Sequence, residues 1–131
     1  MLKHLKAYWK SILWLLLIFY LSAFKFLFLK KIPAEFNADK WGHFVMYFIF
    51  SLILFYDYTK NATLVAKKTI IIWAIVFPFL FGGLMELIQH LFIPYRTGSF
   101  ADLFANTLGS FAAFLLAYFI IFRKKYTRSN K

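Results

Sequence analysis

No cysteine occurs in this sequence, which excludes disulfides, thiolate-ligated metals and a cysteine nucleophile. Acidic residues are nearly as scarce, five Asp and Glu against sixteen Lys and Arg among 131 residues. Each carboxylate therefore calls for a specific reason. Proline (three) and glycine (five) are few as well, so chain breaks and close approaches can fall at only a handful of positions. What fills the sequence instead is apolar: 63% hydrophobic residues, 24% aromatic, and a mean hydropathy of +0.68. Soluble domains carry more charge and less apolar surface.

The net charge of +11 does not point to nucleic acid, because the basic residues cluster at the ends of apolar runs, as the positive-inside rule arranges them. Four such runs approach the roughly 20 residues needed to cross a bilayer. The fold class is accordingly all-α: a polytopic membrane protein, with one domain over 1–131 and helices at about 11–29, 39–58, 69–93 and 99–122. The first run follows Lys3, Lys6 and Lys10. It ends in Lys30-Lys31 with no small-residue cleavage site, so it reads as an uncleaved helix rather than a signal peptide. Lys25 can snorkel from its far end. Pro33 breaks the first connection, and residues 57–68, with Asp57, Lys60, Lys67 and Lys68, read as a polar loop. Pro78 followed by Gly82-Gly83 predicts a kink in the third helix.

The N-terminus, the middle loop and the C-terminal tail hold eleven Lys and Arg. The other two connections, with the end of the first helix, hold five: Lys25, Lys30, Lys31, Lys40 and Arg96. This split places both termini in the cytoplasm. It also gathers the costly polar residues into one outward layer. The second helix carries Asp39, His43, Tyr47 and Ser51 at intervals of four, hence on one face. The third carries Glu86, Gln89 and His90, and the fourth Asp102, Asn106 and Ser110. Beside that last row runs Ala101, Ala105, Gly109, Ala113, Ala117, a small-residue seam suited to close helix packing. Asp39 suits an N-cap, Ser99 to Asp102 suits a capping box, and His90 suits a membrane interface. Glu86 lies deep enough to need a partner, with Arg96 and Lys40 as the available cations.

The strings Asp39-Lys40-x-x-His43-Phe44-x-x-Tyr47, Glu86-x-x-Gln89 and Arg96-x-x-Ser99-x-x-Asp102-x-x-x-Asn106-x-x-Gly109 resemble the VanZ-like family of small membrane proteins. The resemblance covers about Asp39 to Gly109. It implies a multi-pass protein of the bacterial plasma membrane and cell envelope, of a family named for a member associated with resistance to the glycopeptide teicoplanin.

Three chemistries fit this layer. A non-enzymatic anion site would use two helix N-termini with Lys40 and Arg96 to hold a lipid head group or cell-wall precursor. An enzyme acting on a lipid-linked or cell-wall substrate would use Glu86 as general base, His43 as acid or relay, Arg96 at an oxyanion, and Asp102 beside them. Asp39, Lys40, Tyr47, Gln89, Ser99 and Asn106 would line either site. A divalent-metal site on His43, Glu86 and Asp102 would suit zinc or manganese, but no HExxH-type spacing supports it; no metal and no cofactor are expected. The expected partner is the lipid bilayer.

The topology is open to direct test. Cysteines introduced at Asn37 and Thr97 are expected to react with a membrane-impermeant maleimide in intact cells or spheroplasts, and one at Asn61 to stay unlabelled. The reverse pattern would overturn the orientation.

Overall fold

The computed structural model describes residues 6–24, 38–61, 69, 71–92 and 99–129. Among them the regular structure is helical, with no strand: α1 (Trp9–Phe24), α2 (Ala38–Asn61), α3 (Phe77–Phe92) preceded by a π-helical turn (Ile72–Val76), and α4 (Phe100–Ser129). By length and composition one helix is apolar enough to cross a membrane, over Phe100–Ile120; the apolar stretches Trp9–Ser22 and Phe77–Phe92 are shorter.

Helices α2 and α4 form the most extensive contact and run parallel, so both begin at the same end of the bundle. The small-residue seam makes this possible. Ala105, Gly109, Ala113 and Ala117 are buried. At Gly109 the α2 backbone comes so close that a Cβ would overlap the Phe44 carbonyl oxygen. Ala101, expected as the first member of the seam, is exposed. Below the seam Ile18, Met46, Tyr47, Phe50 and Leu54 form a buried cluster, with Trp14, Trp73, Phe77 and Phe81 packed around it. The Trp14 indole N–H donates to the Met46 carbonyl at 3.0 Å, tying α1 to α2.

The break in the third helix falls earlier than the expected Pro78–Gly83 kink. It is the π-turn at Ile72–Val76, where the Phe77 N–H reaches back five residues to the Ile72 carbonyl. Pro78, buried one residue later, has no N–H to continue the ladder. Two further boundaries differ from expectation. Helix α4 continues through the basic tail to Ser129. Asp57, read as the start of a loop, lies inside α2 and is 3% exposed. Its Oδ2 accepts both the Ser11 N–H at 3.1 Å and the Ser11 hydroxyl at 2.7 Å. A carboxylate that satisfies two donors in the first turn of α1 can be buried, whereas an unpaired one could not.

Around the apolar core, large apolar side chains are exposed and several polar ones are buried. Leu13, Leu16, Leu80, Leu91 and Phe119 are each more than half exposed, while His43, Gln89, Asn106, Ser51 and Ser110 are at most 1% exposed.

Because the Gly109 contact is backbone against backbone, no side chain can yield. Gly109→Ala is expected to lower stability by about 1–3 kcal/mol through overpacking, and Gly109→Leu by more. Leu116→Ala, at a position 44% exposed, is expected to change little. Melting temperatures in one detergent compare the three; equal values would contradict the seam as an interface.

Candidate functional site

The parallel pairing of α2 and α4 sets their polar rows side by side, and α3 closes over them. His43, 1% exposed, sits at the centre. Its Nδ1 lies 3.1 Å from the Asn106 Oδ1 and 4.0 Å from the Glu86 Oε1. Its Nε2 faces the other way, 3.8 Å from the Asp39 Oδ1 and 4.0 Å from the Asp102 Oδ2. Only the Asn106 contact is of hydrogen-bond length; the others are electrostatic. A carbonyl oxygen only accepts, so Asn106 selects the tautomer with a proton on Nδ1. Nε2 is then a lone pair aimed between two carboxylates, or an N–H toward them when the ring is protonated.

Each member of this arrangement is fixed from behind. The Glu86 Oε2 accepts the Ser99 N–H at 3.0 Å, while the Ser99 hydroxyl accepts the Ala101 N–H at 3.2 Å. Ser99 is thus the N-cap of α4, as expected. The reciprocal half of the expected capping box is made differently, since the acid that takes the Ser99 N–H is Glu86 of α3 and not Asp102. Asp102 is thereby left to face His43. Asn106 is seated by Gly82, where an added Cβ would come within 3.1 Å of its amide nitrogen and 3.4 Å of the Tyr47 ring. Gln89 donates to the Ser22 carbonyl at 3.2 Å, joining α3 to α1.

Among the described residues, the Tyr47 hydroxyl, the Ser51 hydroxyl, Oε1 of Gln89 and Nδ2 of Asn106 are buried with no protein hydrogen-bond partner. Buried polar atoms in this state are ordinarily met by water or a ligand. The interior beside His43 therefore has hydrogen-bonding capacity that protein groups leave unused.

Of the residues expected at the site, the structure brings Asp39, His43, Glu86, Asp102 and Asn106 together, with Tyr47 and Gln89 in the adjoining interior and Ser99 engaged through its backbone. Lys40 is exposed on a different face of α2. There it lines a groove of about 390 Å³ with Trp41, Phe44, Ala101, Phe104, Ala105 and Leu108, opened where the seam stops packing at Ala101. Arg96 lies outside the described residues. His90 is exposed, in keeping with an interfacial place. For a metal, the donor set differs from the one spacing suggested. Asp39, His43 and Asp102 offer three ligand atoms within 4.8 Å of one another, whereas Glu86 stands on the Nδ1 side, bound to Ser99. Sequence reasoning missed Asp57; the signal available was the scarcity of carboxylates, which makes even one at a helix end unlikely to be idle.

A family model described as VanZ/LLP1 matches residues 2–123, and the chain belongs to that family. A protein of Schizosaccharomyces pombe described as uncharacterized is 30% identical over 89 residues, covering 68% of this chain and 51% of its own length. The chain thus spans about half the length of that relative. No solved structure matches it.

Glu86 has two separable duties, capping α4 and supplying charge near His43. Glu86→Gln keeps an acceptor for the Ser99 N–H and is expected to cost no more than about 1 kcal/mol of stability, whereas Glu86→Ala leaves a buried donor unmet and is expected to cost about 1–3 kcal/mol. Thermal melts of both variants check this; equal losses would contradict the cap.

Proposed function

We propose, with membership of the VanZ/LLP1 family as the premise, that this chain is a four-span protein of the bacterial plasma membrane. In this reading the His43 centre performs acid–base chemistry on the head group of a lipid-like substrate. The observation that carries the reading is His43 itself. A fully buried imidazole, oriented through Nδ1 by Asn106 with Glu86 nearby, presents Nε2 at a place where Asp39 and Asp102 converge. An oriented base of this kind takes a proton from a water or hydroxyl as its oxygen attacks an ester centre, and returns it to the departing oxygen. Glu86, already committed to Ser99, acts as an orienting and charge-balancing group, with His43 as the base.

Several observations support the membrane and substrate parts. Large apolar side chains cover much of the outside, and polar and charged residues are buried beside the apolar core, a distribution a lipid solvent favours. Helix α2, 24 residues long, spans about 36 Å, and α3 gains length from its π-turn. The groove between α2 and α4 has aromatic and aliphatic walls with Lys40 at its edge. It suits an acyl chain with an anionic head group, one residue removed along each helix from Asp39 and Asp102. A similar chain in S. pombe favours a lipid head group over a precursor confined to bacterial walls. Glycopeptide tolerance of the kind the family's name suggests would follow as a consequence of altered envelope lipids.

Simple anion binding is favoured less, because the N-terminal end of α4 already holds an anion of the protein's own, Glu86. The test compares lipid extracts, by mass spectrometry, of cells producing the native chain, His43→Gln and no chain. The expected result is a lipid change with the native chain that His43→Gln lowers by a factor of roughly 100 or more, at equal protein level and melting temperature. A His43→Gln profile equal to the native one would overturn the reading.

A further inference from the structure

We propose that Asp39, His43 and Asp102 bind one divalent transition-metal cation, zinc or manganese, where α2 and α4 begin. The ion takes the same Nε2 as the acid–base reading and replaces His43 as the base whenever it is bound, because a ligated nitrogen has no lone pair left to take a proton; its binding is measured without turnover. It starts from the placement of donors. Asp39 and His43, four residues apart, project from the same face of α2, and Asp102 meets them from α4; their ligand atoms all lie within 4.8 Å of one another. Metal–ligand bonds to imidazole nitrogen and carboxylate oxygen are about 2.0–2.2 Å, so an ion between two donors needs them about 4 Å apart or less. His43 Nε2 stands 3.8 Å and 4.0 Å from the two carboxylate oxygens. With all three donor atoms within 4.8 Å of one another, the ion fits after inward shifts of up to about 1 Å by side chains on elements locked at Gly109.

The second observation is independent of the cluster. Metal-bound histidines are typically held by a carbonyl or carboxylate on the ring nitrogen that does not bind metal, which fixes the tautomer and turns the other lone pair to the ion. Asn106, 1% exposed, occupies that position on Nδ1 at 3.1 Å. Access is present too, since the Asp39 side chain is 40% exposed while that of His43 is 2% exposed. One imidazole with two carboxylates suits zinc or manganese, and three protein ligands leave a coordination position for water or substrate. Glu86, on the far side of the ring and bonded to Ser99, is not a ligand.

The experiment uses the full chain in detergent, purified without chelator. Metal content is read by elemental mass spectrometry, and Zn²⁺ and Mn²⁺ are titrated into chelator-stripped protein by calorimetry. The expected result is about one ion per chain, with affinity lowered at least tenfold in Asp102→Asn and His43→Gln, and tenfold to a hundredfold in Asn106→Leu, consistent with outer-shell effects. Leu116→Ala, at an exposed position away from the site, is expected to bind as the native chain does. Should a buried variant fail to fold, the half-exposed Asp39→Asn carries the same prediction. No binding of either ion at micromolar concentration, or undiminished binding in Asp39→Asn and Asp102→Asn, overturns the proposal. A chain that binds no ion yet alters lipids through His43 would sink the metal site and keep the acid–base reading.

Discussion

Everything at the functional end depends on one close approach, the backbone of α4 at Gly109 against the backbone of α2 at Phe44. In the lipid environment proposed for this bundle, tails are as apolar as leucine, so helices associate through close packing and a few polar contacts. A missing side chain is what brings two helices near enough for both. Parallel α2 and α4, locked there, place Asp39 level with Asp102 and His43 level with Asn106. Where small residues cease to be buried, at Ala101, the pair opens into the groove beside Lys40.

The four carboxylates among the described residues follow a common logic. Each lies against the first turn of a helix. Glu86 of α3 meets the Ser99 N–H at the start of α4, and Asp57 of α2 meets Ser11 near the start of α1. Asp39 and Asp102 sit in the first turns of their own helices. The unsatisfied N–H groups and the positive end of the dipole stabilise a carboxylate there, which allows negative charge inside an apolar molecule at low cost. The difference lies in what else each one does. Asp57 takes both Ser11 donors on Oδ2 and ties α2 to α1, whereas Asp39 and Asp102 turn toward His43 and give the imidazole an acidic surround.

The helical class, the approximate positions of the four helices and the convergence of Asp39, His43, Glu86, Asp102 and Asn106 were legible in the sequence, because a period of four along three apolar segments leaves few other arrangements; the expected place of Lys40 beside them was not met. The role of Gly109 was legible too, from its place in the small-residue row. Pairings between helices were not. Spacing alone put Asp102 in a capping box, because partners near in sequence are easily seen; the structure gives the Ser99 N–H to Glu86 of α3 instead. The burial of Asp57 depends on Ser11, 46 residues away, a pairing that no local pattern reveals. Membership in the VanZ/LLP1 family agrees with the resemblance carried by the motifs from Asp39 to Gly109.

The central claim is that Asn106 holds His43 with the proton on Nδ1, so that Nε2 is the working atom facing Asp39 and Asp102. Nitrogen-15 NMR of ring-labelled histidine in the purified chain, with His43→Gln used to assign the resonance, reads this directly. The account predicts a protonated Nδ1, shifted on Asn106→Leu, whether Nε2 carries a lone pair, a proton or an ion. A neutral ring with its proton on Nε2 and a bare Nδ1 would contradict it.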